Sequence, residues 1–300
     1  MGLAEVLSTV KELVLSPGQL IGDVVERERY LKNAYPSLGP EEAKDLAAIA
    51  PERLAIYTQS IFTAEASLLE RYFPVTTSET LRTLRGHQQN ADLTVYGLAI
   101  LVHSVSPWRG IHSPSFGESL IDFISKYPLL QGSSAGALTE IANLELATLK
   151  IRKAPNSKHT PCSKEAIEEL SSLMVGDLLL RRFSVPSLVE GLRCEWDIGK
   201  FRELVLAGED SPKLNRLEKA HCLLAGRATD YGVQWVAVGS SIYESLLKRR
   251  GGLGQPLEDL AEIFIAEASV ETKREEELFT EFLSMVVSLL SVGVLVPEPA

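Results

Sequence analysis

Cysteine is scarce in this chain. Cys162, Cys194 and Cys222 are the three in 300 residues, widely spaced and without a CxxC pair. That excludes a disulfide framework and a paired-cysteine zinc site, and it points to a reducing, cytoplasmic compartment. The five histidines, His87, His103, His112, His159 and His221, form no i, i+4 pair on a helix and no HExxH, so metal-ligand spacing is missing as well. No Walker A or GxGxxG segment occurs; Gly251–Gly254 lacks a strand before it and a Lys-Ser/Thr after it, and reads as a flexible turn. Positive charge is also short, 30 Lys+Arg against 40 Asp+Glu, for a net charge of −10. Such a chain has no global attraction for nucleic acid or an anionic membrane, although a local basic face can still form. The longest apolar run, Phe282–Val296, carries Ser284, Ser288 and Ser291. It falls short of the roughly 20 apolar residues of a membrane span and reads as a buried helix. Met1–Leu15, with Glu5, Lys11 and Glu12 among its apolar residues, reads as an amphipathic helix and not as a signal peptide.

What is present is mostly helical periodicity. In Arg53–Phe73, Leu54, Tyr57, Ile61, Ala64, Leu68 and Tyr72 recur at three- and four-residue steps, which predicts one buried stripe ended by Pro74. Glu41–Ala50, Leu93–Val105, Glu118–Lys126, Leu138–Ile151 and Ser163–Leu180 read as further helices. A loop through Trp108, His112 and Pro114 leads to Phe116, and Ala154–Pro161 reads as a linker. After Pro186 the period changes. Leu192, Cys194 and Trp196 alternate with Arg193, Glu195 and Asp197, as in a half-buried strand. His221–Arg227 and Val233–Val238 read as two more strands joined by a hairpin through Ala228–Gly232. Helices at Ser240–Lys248 (capped by Ser240 or Ser241), from Pro256 or Leu257 to Ala268, and after a Thr272 cap follow. The expected fold is mainly α with a small antiparallel sheet (α+β). It divides into a helical domain, 1–183, and a winged-helix-like domain, 184–300.

Few residues offer chemistry. His103 and His112 flank the Trp108 loop, either as a shared site or as ordinary loop histidines. Cys194 lies on the apolar face of its strand, where a buried structural thiol is expected. Lys248-Arg249-Arg250 ends a helix, where cations favour the dipole, and its neighbours Glu258, Asp259 and Glu262 are acidic. The residues by themselves do not specify an enzyme.

Two stretches resemble known families. Arg53-Leu54-Ala55-Ile56-Tyr57, followed by Leu68-Leu69 and Phe73-Pro74-Val75, resembles the RLxxYR…L…FPV helix of the HvfC/BufC family. Thr58 stands where an Arg is usual. Phe116-Gly117-Glu118-Ser119-Leu120 through Phe123-Ile124 is similar to that family's G..F..FL segment, and Ile141-Ala142-Asn143-Leu144-Glu145 to its LADLARLEWA helix, without the Trp. Members are partner subunits of iron-dependent TIM-barrel enzymes that modify ribosomally made peptides. The resemblance therefore implies a non-catalytic chain with no cofactor of its own, the iron residing in a TIM-barrel partner of a heterodimer. Tyr57, Trp108, His112 and Phe116 are the partner-docking residues expected from it.

The second stretch covers Leu223-Leu224, Val233–Val238, Ser240–Lys248, Gly254–Leu260 and Phe282–Leu295. It resembles the strand and helix order of peptide-recognition (RRE) domains. In those domains a precursor's leader peptide adds as a strand to the sheet edge and packs on the third helix. The implied peptide-binding residues are Gln234, Trp235, Val236 and Val238 on the strand, and Phe282, Met285, Val286 and Leu289 on the helix. The alternative is a winged-helix DNA-binding regulator; a stand-alone enzyme using His103 and His112 is a further rival.

Overall fold

The computed structural model describes residues 3–15, 22–107, 115–131, 135–154, 167–168, 172–173, 175–209, 213–229, 232–268 and 275–298. In chain order the helices are α1 (Leu3–Leu15), α2 (Val24–Ala34), α3 (Pro40–Ala47), α4 (Pro51–Tyr72), α5 (Pro74–Arg85), α6 (Val95–Val105), α7 (Ser115–Lys126) and α8 (Ala135–Lys153), then α9 (Val175–Leu180), α10 (Ile198–Leu206), α11 (Ser240–Lys248), α12 (Glu258–Ala268) and α13 (Glu275–Ser291). The strands are β1 (Arg182–Ser184), β2 (Glu190–Trp196), β3 (Arg216–Ala225), β4 (Ala228–Thr229), β5 (Gly232–Val233), β6 (Val236–Val238), β7 (Gln255–Pro256) and β8 (Val296–Pro297). The chain is mainly helical with small antiparallel sheets, an α+β fold. Among the described residues no helix is long and apolar enough to cross a membrane.

Two compact units form. One joins Met1–Arg71 to Asp92–Ser104, and the other joins Tyr72–Ala91 to Val105–Ala300. Neither unit begins or ends at the expected 183/184 division. The reason is α8, which packs on β2 and accepts hydrogen bonds from it, so residues 135–153 belong with the sheet.

In the first unit Leu13, Leu31, Ala43, Leu46 and Leu54 share a core. The periodicity of α2 was too polar to stand out, yet the helix starts on a full capping box between Asp23 and Glu26. In α4 the buried positions are Leu54, Phe62, Glu65 and Leu69, a stripe rotated from the expected one, which leaves Tyr57 62% exposed. Thr58 explains part of the rotation. Its hydroxyl donates to the carbonyls of Val14 and Leu54, which ties α4 to α1.

In the second unit Pro74 ends one helix and opens the next as the first residue of α5. Phe73 at its N-cap supplies no side-chain cap. Glu145 of α8 does so instead, accepting from Val75 N and Thr76 N at 3.1 Å each and from Thr76 Oγ1 at 2.7 Å. One sheet runs β2-β3-β6 and another β7-β1-β8, all antiparallel; the second sheet was not expected. The single strand expected over Val233–Val238 is two, β5 pairing with β4 and β6 with β3. Helix α10 was also missed; Asp197 caps it by accepting from Lys200 N. Helix α13 closes with Gly293 at φ 71°, Val294 N donating to Leu289 O, and Arg227 donating to Ser291 O.

Two stability predictions follow from the buried carboxyls. Burial pushes the Glu65 carboxyl from 4.5 up to about 8. The folded chain therefore keeps a proton that the unfolded chain releases, and stability falls as pH rises from about 5 to 8. Glu65→Gln cannot ionise, so its melting temperature should gain on the wild type across that window and not below it in thermal melts. Glu145→Ala leaves the α5 donors unpaired and should cost roughly 3 kcal/mol in urea unfolding.

Candidate functional site

The β2-β3-β6 sheet has two covered faces. On one, Cys194 of β2 lies buried with Val75, Ile141, Leu144, Ile198 and Phe201, and Trp235 packs against that cluster just before β6 begins. On the other, Val236 and Val238 pack against the core that contains Phe282, Val286 and Leu289. Alternation along Trp235–Val238 accounts for the split, since neighbouring side chains of an extended segment point to opposite faces.

The expected peptide-binding residues are therefore not gathered into one groove. Gln234 is exposed, between β5 and β6. Trp235 serves one core, while Val236, Val238 and Met285 are partly buried against the other. Phe282 and Val286 at 2% and Leu289 at 0% exposure are core residues, because the side of α13 that bears them faces the sheet and α12. Of the partner-docking residues, Tyr57 is on the surface beside Ile56, each 62% exposed. Phe116 is buried at 3% and packs edge-on against Phe73, ring centroids 5.9 Å apart. It offers no docking surface. Trp108 and His112 lie outside the described residues.

The two edges of the sheet differ. Strand β2 is irregular between Cys194 and Trp196, and there the consecutive N–H groups of Glu195 and Trp196 both donate to the Glu140 carboxylate of α8, at 3.0 and 3.2 Å. A bulge is the backbone geometry that turns adjacent N–H groups to one side. Burial raises the Glu140 carboxyl above its usual value, with those two N–H groups pulling it back. The Trp196 end of the β2 edge is thus occupied by an internal acceptor. Among the described residues β2 and β6 both pair only with β3, and β6 is the one with no side-chain acceptor at its end. Its exposed centre is Ala237, and the partly buried Val236 and Val238 flank it.

The buried thiol of β2 is not an activated nucleophile. Burial, then the Glu140 carboxylate and Cys222, push the Cys194 thiol up to about 12, so it stays protonated and inert at neutral pH. Cys222 Sγ sits 3.7 Å from Ser240 Oγ. The ring of His103 lies edge-on to Phe62, centroids 5.6 Å apart. Among the described residues no group of three or more His, Cys, Asp or Glu is placed to hold a metal ion. The expectation that the chain has no GxSxG segment is wrong: Gly132-Ser133-Ser134-Ala135-Gly136 matches it, with residues 132–134 outside the described ones. The described residues before it form a short 3-10 turn, Pro128–Leu130, and not the strand that a nucleophile elbow needs.

Neither Glu140 nor Glu145 is among the site residues expected from the sequence. Glu145 had one visible signal, an acid among Leu144, Leu146 and Ala147. Glu140 had none, since its partners lie 55 and 56 residues away. No model of a known protein family matches the chain, and no curated protein matches it.

Removing the Glu140 acceptor should unmask β2. In Glu140→Ala, hydrogen exchange at the Glu195 and Trp196 amides is expected to speed up at least tenfold, the loss of about 1.4 kcal/mol of protection. Unchanged protection there would mean that the carboxylate does not close this edge.

Proposed function

We propose that this chain is a non-catalytic partner protein in the maturation of a ribosomally made peptide. It captures an extended segment of the precursor's leader as an added strand on β6 and presents the rest to an iron-dependent TIM-barrel enzyme. The observation that carries the proposal is the difference between the two edge strands: Glu140 takes up the N–H groups at the Trp196 end of β2, while β6 pairs only with β3 among the described residues and exposes Ala237. Strand addition supplies main-chain hydrogen bonds at such an edge. Tethering then raises the effective concentration of the modified end at the partner's active site. The iron belongs to the partner. Exposed Tyr57 and Ile56 on α4 support a docking face for it, and α12 and α13 contain no Lys or Arg to favour DNA.

The test co-expresses the full chain with its neighbouring genes, of which the proposal requires one to encode a short precursor and another an iron-dependent enzyme. Leader binding should slow hydrogen exchange at Val236–Val238, and Ala237→Pro, checked for fold by circular dichroism, should weaken it about tenfold. Tyr57→Ala should reduce copurification of the enzyme and leave leader affinity unchanged. Leader that binds Ala237→Pro as tightly as wild type, or that protects other amides, would remove β6 as the site.

A further inference from the structure

The acidic excess of this chain is concentrated. Residues 258–291 hold nine Asp and Glu against Lys273 and Arg274, which is −7 of the total −10. Part of this charge has a structural use. Glu258 and Asp259 sit in the first turn of α12, at the positive end of its dipole. Asp259 also pairs with Arg249 at 3.3 Å. Glu267 accepts from Ser241 N at 3.3 Å and so caps α11, whose N-cap is Gly239. Glu262, exposed in the middle of α12, serves neither purpose.

Beside it lies an apolar cavity of about 310 Å³ between α9, α12 and α13, walled by Leu179, Ala261, Ile265, Leu278, Phe279 and Phe282. Phe282 is its most buried wall, tilted against Phe264 at 5.6 Å. Ile265 is 53% exposed at the rim, and Leu180, next to the lining Leu179, is 68% exposed. Glu258 and Glu262 precede the lining residues Ala261 and Ile265 by three positions, so helical spacing sets a carboxylate beside each. A monomer rarely leaves large aliphatic side chains in water around an open apolar cavity without a use for them. The charge around the cavity selects the occupant. A second copy of the same face, or an anionic lipid surface, would be repelled; an apolar row flanked by Lys and Arg is the complement.

We propose that the α9–α12–α13 cavity is a docking site for a basic amphipathic helix of a partner protein. Apolar side chains one turn apart enter the cavity, and flanking cations face Glu258 and Glu262. The residues involved are separate from the β6 edge, so the site stands or falls independently of strand addition.

A fluorescein-labelled Leu/Lys amphipathic helix, its Leu/Glu counterpart and a labelled fatty acid serve as probes in anisotropy titrations of the full chain. The Leu/Lys helix should bind and the Leu/Glu helix should not. Ile265→Ser, a surface change, should weaken binding about tenfold, and Glu262→Lys should weaken it several-fold and flatten its salt dependence. Ala237→Pro should leave it intact, which separates failure here from failure at β6. Equal binding to Ile265→Ser, equal binding of the two helices, preferential uptake of the fatty acid, or a dimer in sedimentation that Ile265→Ser dissolves would each overturn the assignment.

Discussion

The second unit is organised around one buried carboxylate. Glu145 is 2% exposed, and an isolated carboxylate so placed would cost several kcal/mol. Three hydrogen bonds from Val75 and Thr76, at the positive end of α5, offset that cost. The consequence is geometric: the start of α5 is fixed by a residue 70 positions later. Phe73 then lies against Phe116, and α7 comes so close that a Cβ on Gly117 would sit 2.6 Å from both Phe73 and Leu146. A glycine is the residue that permits this approach. Phe73-Pro74-Val75, Phe116-Gly117 and Leu144-Glu145-Leu146, far apart in the chain, therefore meet at one point.

Helix α8 carries a second carboxylate, and the two act in different directions. Glu145 holds α5, while Glu140, five residues earlier, holds β2. Most of the helix between and beyond them is buried, including Leu138, Ile141, Leu144, Leu146 and Leu149. A helix covered on so many sides serves as a spine, and it joins the helical layer to the sheet. That is why a boundary at 183/184 does not match the compact units. The composition changes there, but the packing does not.

Long helices were legible because their periodicity is strong. Helices α4, α6, α7, α8, α11, α12 and α13 fall within a few residues of where the sequence puts them, and so do β2 and the later part of β3. The misses share a cause, which is that tertiary partners decide them. In α4 the apolar step pattern allowed two neighbouring stripes, and the contacts of Thr58 with Val14 and of Phe62 with Tyr96 accompany the one that was not expected. Strands β1, β7 and β8 are two or three residues each, too short to show alternation. In the site, Phe282, Val286 and Leu289 were read as a groove because α13 is apolar over much of its circumference. The helix is covered by both the sheet and α12, so that girth builds a core.

The two proposed sites, the β6 edge and the acid-framed cavity, differ in how much sequence each would read. An added strand gains mainly main-chain hydrogen bonds, which carry affinity but read little sequence. At β6 this limit is sharpened, because Val236 and Val238 turn into the core and leave Ala237, a single methyl, as the exposed side chain of the strand. The proposed strand addition therefore supplies little discrimination by itself. Residues 258–291 carry most of the net charge, and they border an apolar cavity with an exposed Ile265. Charge arranged around an apolar pocket rejects acidic partners as strongly as it favours basic ones. A negative net charge that at first argued only against nucleic acid is, by its placement beside the cavity, the ground for the proposed preference for a basic helix.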